Sequence, residues 1–120
     1  MKKLFSISFV LFFILSSSYL FAQVAIQSGT FSANTSTPGY TLDKNSGDRS
    51  VTIEVNFDKP FDKKPTVVLA VVKLDADNKT NLRYNIETLS VSRDAFTVKI
   101  STWSEGKIYG IGGSWIAYSN

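Results

Sequence analysis

The chain has 120 residues, no cysteine, no histidine and a formal net charge of +3. The absence of these two residue types excludes disulfides, the commonest general base, the thiol nucleophile and the usual zinc ligands. Loss of Lys2 and Lys3 with an N-terminal leader would leave 11 basic and 10 acidic residues, a net charge of +1. That balance argues against a nucleic-acid-binding protein, which would carry a basic stripe.

The N-terminal segment, residues 1–22, has the pattern of a secretory signal peptide. Two lysines precede an apolar run, serines end the run, and small Ala22 stands before Gln23. A retained membrane anchor is the alternative, but an anchor needs about 20 strongly apolar residues. We therefore predict cleavage after Ala22, no membrane span in the mature domain of residues 23–120, and a secreted or periplasmic location.

The mature chain, taken in order, reads as short strands separated by turns, with no convincing helix. Alternating or continuous apolar residues predict strands within six segments, residues 24–27, 46–57, 66–74, 83–91, 96–103 and 108–118. A polar stretch with Pro38 and Gly39 predicts a surface loop over residues 33–45. Regularly spaced short strands predict an all-β fold, an antiparallel sandwich or barrel. A domain this small without disulfides often gains stability by oligomerisation.

Carboxylate pairs are the remaining candidates for catalysis. Asp58 with Asp62, and Asp75 with Asp77, lie in predicted loops or at strand ends. A glycosidase needs two carboxylates at a fixed distance across a cleft, whereas acids two residues apart in a turn usually cap backbone amides. Residues 75–81 are similar to the start of a calcium loop but lack its glycine. We therefore predict a hydrogen-bonded turn there, no enzymatic activity, and no metal or cofactor.

The two tryptophans near the C-terminus have different predicted environments. Trp103 has the opposite parity to the apolar residues of its strand, so we predict that it is exposed or lies at an interface. Trp115 lies in the middle of the last strand and is predicted to be in the core. Three glycines in that strand predict a close approach by another backbone or a ligand; they are Gly110, Gly112 and Gly113.

An aromatic surface beside opposite charges suits a sugar. The short connection over residues 104–106 predicts a hairpin that holds Trp103 near Tyr109. Arg83 offers a planar fork of hydrogen-bond donors, and Asp48 offers acceptors in a turn. Each residue also has an ordinary structural interpretation, as a packing residue, a surface ion pair or a turn cap. A concave aromatic site with a few polar groups is a general description of ligand sites.

The order and spacing of several motifs over residues 28–118 resemble the H-type lectin domain family. These motifs are "PFDKKPTVV", "LD" followed by "NLR", a phenylalanine opening the fifth strand, "TW", a tyrosine six residues on, and "SWIAY". The resemblance implies a six-stranded antiparallel β-sandwich that forms homotrimers. It also implies sites between protomers for galactose-type glycans, notably N-acetylgalactosamine, without catalysis or metal. Whether trimers pair into hexamers is left open.

The resemblance assigns roles to individual residues of this sequence. Arg83 of "NLR" would donate hydrogen bonds to sugar hydroxyls, Trp103 of "TW" would be the apolar platform, and Tyr109 would hydrogen-bond from the start of its strand.

The resemblance also implies an acid contributed by a neighbouring chain, which we assign to Asp48, beside Gly47, with Asp43 as the alternative. Some family members have a histidine directly after the platform tryptophan, touching the acetamido group. Here that residue is Ser104, which is shorter and uncharged. The expected preference for N-acetylgalactosamine over galactose is therefore weaker.

The leading hypothesis is a secreted, multivalent carbohydrate-binding lectin in which several weak sites gain avidity. The alternative is a protein-interaction or adhesion module on the same sandwich, with Trp103 buried in a partner. A small secreted hydrolase is a third hypothesis, and it would require a carboxylate pair in a cleft.

Overall fold

The computed structural model describes residues 24–120, and this part of the chain is all-β. Its six strands agree with the predicted number. They are β1 (Ala25–Asn34), β2 (Arg49–Asn56), β3 (Thr66–Ala76), β4 (Tyr84–Leu89), β5 (Ala95–Thr102) and β6 (Ile108–Ser119). Residues 24–120 contain no apolar helix of membrane-spanning length. The predicted signal peptide, residues 1–22, lies outside the described residues.

The strands form two antiparallel sheets of three strands, in the orders β1–β6–β3 and β2–β5–β4. The predicted antiparallel sandwich is therefore confirmed. The chain changes sheet at every connection except the one from β4 to β5, so the hairpin predicted between β5 and β6 is wrong. The residues that lead into β6 instead bond to other loops. Asp77 donates its N–H to the carbonyl of Lys107 (2.9 Å), and Ile108 donates to the carbonyl of Leu42 (3.0 Å).

Alternating side chains from both sheets fill the core. Phe96, Val98 and Ile100 of β5 are fully buried, as their alternation predicts. At the centre, aromatic rings pack with centroids 4.9–5.7 Å apart, mostly edge to face. These rings belong to Phe57, Phe61, Phe96 and Trp115. Such aromatic pairs contribute about 0.5–1.5 kcal/mol each beyond the apolar area they bury. The predicted core position of Trp115 is confirmed.

The first strand is longer than its sequence pattern indicates. We predicted a strand over residues 24–27 and a loop from residue 33, but β1 extends to Asn34 and pairs with β6 along its whole length. Phe31 and Ala33 of this strand are buried. Small and polar neighbours conceal the alternation in the sequence. The strand is stabilised by its pairing with β6, and a local sequence pattern contains no information about that pairing.

The glycines of β6 permit close packing within the chain. A Cβ atom added at Gly113 would lie 2.7 Å from the ring of Phe31 and would collide with the carbonyl oxygen of Ala70. A Cβ atom added at Gly110 would make ordinary contacts, the nearest at 3.8 Å. The predicted close approach is therefore confirmed at Gly113, where the approaching groups are the protein's own backbone and a core ring.

The substitution Gly113→Ala is expected to lower the free energy of unfolding by about 1–3 kcal/mol, because the added methyl group overpacks the core. Gly110→Ala, on the same strand, is the matched control and should change that free energy by less than about 1 kcal/mol. Urea unfolding followed by circular dichroism measures both variants. Equal stabilities would show that the space at Gly113 is not limiting.

Candidate functional site

Three of the predicted site residues meet at one end of the β2–β5–β4 sheet. The last paired row of this sheet has Thr102 of β5 at its centre. Directly beyond this row lie Asp48, which precedes β2, Trp103, which follows β5, and Arg83, which precedes β4. The side chain of Trp103 is 38% exposed, which confirms the exposure predicted from its parity. The antiparallel register thus places an acid directly before β2 and a guanidinium-bearing residue directly before β4, on the two sides of an exposed indole.

Two cavities adjoin this row. One, of about 270 Å³, is lined by Asp48 and Trp103 together with residues of β2 and β5. The other, of about 300 Å³, is lined by Arg83 and Ser104 together with residues of the loop before β4. Since Trp103 and Ser104 are consecutive, the two cavities flank this dipeptide. The arrangement offers a flat apolar surface with hydrogen-bond acceptors and donors nearby.

The two candidate acids lie in different environments. Asp48 is exposed and lines the Trp103 cavity. Asp43 is half-buried, and its Oδ1 atom is buried without a hydrogen-bond partner. The geometry therefore favours Asp48 as the residue that faces a ligand. Asp48 lines a cavity with Trp103 within one chain, and the contribution of an acid by a neighbouring chain stays a prediction.

Tyr109 is separated from the Trp103 cavity within one chain. It lies on β6, in the opposite sheet, and lines neither cavity. The pairing of β3 with β6 passes from Gly110 to Ile108, so Tyr109 forms a β-bulge. A bulge commonly redirects a side chain, and Tyr109 is exposed.

The backbone beside Trp103 is held in left-handed conformations. Gly47 has φ 87° and Ser104 has φ 65°. The N–H of Gly47 donates to the carbonyl of Ser104 at 2.8 Å. Glycine adopts such a φ freely, whereas for a residue with a side chain this conformation costs about 1–2 kcal/mol of conformational energy. Ser104 is therefore a strained residue directly after the exposed tryptophan, and contacts around it must hold it in place.

Arg49 is a site residue that the sequence analysis missed. Its side chain is buried at the start of β2, and a guanidinium has five N–H donors. Each of them donates to a backbone carbonyl, at distances of 2.8–3.3 Å. The acceptors are Leu42, Lys44 and Gly47 before β2, and Ser104 and Gly106 after β5. The sequence feature that could have identified Arg49 is its parity with Val51, which places it on the core-facing side of β2. A charged side chain is unusual at such a position.

Thr102 anchors the opposite side of the row. Its hydroxyl donates to the carbonyl of Arg83 at 2.7 Å. Among the described residues, Arg49 and Thr102 are the buried polar side chains, and they are partners in the β2–β5 register. Both therefore connect the core to segments that surround Trp103. Thr102 also has core-facing parity, so the same signal could have identified it.

The acidic segment over residues 75–81 contains the hydrogen-bonded turn predicted from its sequence. Oδ1 of Asp77 accepts from the N–H of Lys79 at 3.0 Å, which is the Asx-turn pattern. Within residues 24–120 no group of three or more acidic side chains is arranged to hold a metal ion.

Tyr40 connects the loop before β2 to the start of β6. Its hydroxyl donates to the carbonyl of Ile108 at 2.6 Å. Burial, together with the carboxylates of Asp43 and Asp75, raises the pKa of Tyr40 from 10.0 to about 12. The folded protein therefore favours the neutral phenol that makes this hydrogen bond.

Comparison with known proteins identifies a family and a fold. A family model for the H-type lectin domain matches residues 52–118, which confirms the resemblance seen in the sequence. A protein of Fuscovulum blasticum named "ATP synthase subunits region ORF 7" is 30% identical over 71 residues, which are 59% of this chain and 62% of that protein.

Two structures of discoidin II from Dictyostelium discoideum, one recombinant and one wild-type, share the fold with a TM-score of 0.71 each. Their sequence identities are 23% and 22% over 82% of this chain, and the match covers 38% and 37% of discoidin II. The chain thus spans less than two thirds of the length of these relatives.

Raising the pH above 10 is expected to remove a stabilising contribution of Tyr40. The unfolded chain releases the phenolic proton at the ordinary pKa of 10.0, whereas the folded protein releases it at about 12. The contribution is therefore complete below pH 10 and falls as the pH rises toward 12. Urea unfolding of the wild type and of Tyr40→Phe between pH 10 and pH 12 measures this contribution. The stability advantage of the wild type should shrink with rising pH, and a constant difference would contradict the raised pKa.

Proposed function

Since this chain belongs to the H-type lectin domain family, we propose that it is a secreted lectin for terminal galactose or N-acetylgalactosamine, with sites between the protomers of a homotrimer. The domain is a carbohydrate-binding lectin domain and not an enzyme. The observation that carries the proposed sugar site is the exposed indole of Trp103, with Asp48 and Arg83 directly before the two strands that flank β5.

Each group of the site matches one part of a pyranose ring. The apolar C–H face of the sugar packs on the indole of Trp103, which has an apolar body suited to such contact. The carboxylate of Asp48 accepts hydrogen bonds from sugar hydroxyls, and the guanidinium of Arg83 donates to them in a planar fork. The cavity of one chain already contains Asp48 beside Trp103, so this acceptor does not have to come from a neighbouring chain.

Ser104 bears on the choice between the two sugars. It lines the Arg83 cavity, and its short uncharged side chain reaches less far than the histidine of some family members. We therefore expect galactose and N-acetylgalactosamine to bind with affinities within about tenfold of each other, a difference of roughly 1.4 kcal/mol. The signal-peptide pattern of residues 1–22 supports secretion, or export to the periplasm.

The outward face of the β1–β6–β3 sheet supports assembly into a trimer. Five large apolar side chains are exposed there, among them Val72 at 73% and Ile26 at 65%. The others are Val68, Ile116 and Tyr118. The strand register places Ile116 opposite Val68 and Tyr118 opposite Ile26. Contiguous exposed apolar side chains mark surfaces of interaction.

The outward face of the other sheet has a different character. Its middle row consists of Thr52, Lys99 and Glu87, so this face is polar where the first is apolar. The contrast favours the β1–β6–β3 face as the protomer contact. Tyr109 is exposed on the sheet that carries this contact face, which supports a sugar site that two protomers complete together.

The decisive experiment is a glycan array with the mature protein, residues 23–120, and a native mass on the same sample. Selective binding to terminal galactose or N-acetylgalactosamine, with the mass of a trimer, is expected. A trimer that binds no glycan would overturn the sugar site and would favour a protein partner at Trp103.

The substitution Trp103→Ala is expected to weaken sugar binding at least about tenfold, because a flat aromatic contact of this kind dominates small polar sites. Asp48→Asn should also weaken it. The matched control is Leu89→Ala, since Leu89 is also 38% exposed but lies at the far end of β4. Isothermal titration with galactose measures all three. Equal losses for Trp103→Ala and Leu89→Ala would refute the assigned platform.

The substitution Ile116→Asp is expected to convert the trimer into monomers, because a buried unpaired carboxylate is costly at an apolar contact. Thr52→Asp, on the outward face of the other sheet, is the control and should leave the trimer intact. Native mass spectrometry reads the assembly, and circular dichroism checks the fold. A folded Ile116→Asp protein that remains trimeric would place the protomer contact elsewhere.

A further inference from the structure

The proposed sugar site is divided between two segments that lie outside the strands. Residues 42–47 lead directly into Asp48, and residues 104–106 begin directly after Trp103. The distance between the carboxylate and the indole therefore depends on how these two segments are joined. One backbone hydrogen bond joins them, from Gly47 to Ser104 at 2.8 Å.

We infer that Arg49 is the positioning residue of this site and thereby a determinant of sugar affinity. Nε and Nη1 of Arg49 donate to carbonyls of the segment over residues 42–47, and Nη2 donates to Ser104 and Gly106 at 3.0 and 2.8 Å. One rigid planar group thus bridges the two segments and sets their separation. The inference rests on the proposed sugar site and deepens it.

Arg49 acts through the backbone and not through a sugar contact. All five of its N–H groups are donated to carbonyls, so none is left for a ligand. The carbonyl of Ser104 accepts from both Gly47 and Arg49. These two bonds support the left-handed φ of Ser104, the residue that follows the platform. Binding sites of this kind need their contact groups held by supporting hydrogen bonds.

A lysine cannot replace Arg49 in this role. An ammonium group has three donors around one point, whereas the guanidinium has five in a plane that reaches carbonyls on two sides. Arg49→Lys would therefore keep the charge and leave buried carbonyls without partners. The change should loosen the two segments and leave the three proposed sugar contacts, Trp103, Asp48 and Arg83, chemically unaltered.

The test compares Arg49→Lys with a matched control, Arg93→Lys, in the full mature protein. Arg93 also supports a loop, since its Nε donates to the carbonyl of Phe61 at 2.7 Å, but it lies at the opposite end of β5. Galactose affinity is measured by titration, and ¹H–¹⁵N spectra report the two indole N–H groups separately. We expect Arg49→Lys to lose at least about tenfold in affinity and to speed amide exchange at Gly47.

The indole signals separate positioning from a general loss of structure. In Arg49→Lys the signal of Trp103 should shift or broaden while that of the core residue Trp115 stays unchanged, and Arg93→Lys should change neither. An Arg49→Lys protein with wild-type affinity and wild-type exchange at Gly47 would overturn the inference. Failure of the wild type to bind galactose or N-acetylgalactosamine would refute the sugar site, and the Trp103 signal would then still decide whether Arg49 positions the tryptophan.

A measurement on the wild type covers the case in which Arg49→Lys does not fold. The Nε–H of Arg49 should exchange with solvent at least about tenfold more slowly than that of exposed Arg83, because it is buried and hydrogen-bonded. Galactose should shift the Arg49 Nε–H together with the amides of residues 42–47 and 104–106. A titration that shifts the Trp103 indole but leaves these signals unchanged would overturn the inference.

Discussion

The guanidinium of Arg49 is removed from water at the start of β2, where its five N–H groups find five backbone carbonyls. A buried cation is costly unless its donors are satisfied. The acceptors belong to two separate segments, so the arginine is satisfied only when both segments close around it. The burial of Arg49 therefore depends on both segments being in place. One of these segments directly follows the exposed Trp103, and Arg49 holds it through Ser104 and Gly106.

The second buried polar residue extends the same arrangement across the sheet. Thr102 is the register partner of Arg49 and holds the carbonyl of Arg83. The row beneath the site thus carries a polar anchor on β2 and another on β5. Below it, the fully buried apolar residues of β5 and the rings around Trp115 form a closely packed support. Exposed groups that bind a ligand are held in this way by neighbours whose own positions are fixed by packing.

The two sheets have different surfaces, so the domain offers two separate regions for contact with other molecules. One end of the β2–β5–β4 sheet carries the exposed tryptophan and its charged neighbours. The outward face of the β1–β6–β3 sheet carries exposed apolar residues, including the bulged Val72. β6 is the middle strand of that sheet, and at Gly113 it packs closely against the backbone of β3 and the ring of Phe31. In the proposed trimer the apolar face would hold the protomers together, and several tryptophan sites on one particle would bind a glycan surface with avidity.

The environments of the two tryptophans could be predicted from local patterns, because the alternation of side chains within one strand decides which of them face the core. The parity of Trp103 within β5 predicted its exposure, and the burial of Trp115 followed from its place in the middle of β6. The motif order identified the family, while the sugar-binding roles that the resemblance implies for Arg83 and Tyr109 stay predictions. Arg49 and Thr102 were visible as polar residues at core-facing positions. Their structural roles could not be predicted, since their hydrogen-bond partners are distant in sequence, up to 57 residues away for Arg49.

The sequence by itself determined the all-β class, the number of strands, the alternation of the core and the family, because these depend on short-range periodicity and on the order of motifs. Only the tertiary structure decided that β5 and β6 lie in different sheets, that β1 extends to Asn34, and that Asp48 faces the Trp103 cavity while an oxygen of Asp43 is buried. These features depend on long-range pairing and on where buried donors find their acceptors. Such choices are settled by the free energy of the whole packed domain and leave no periodic trace in the chain.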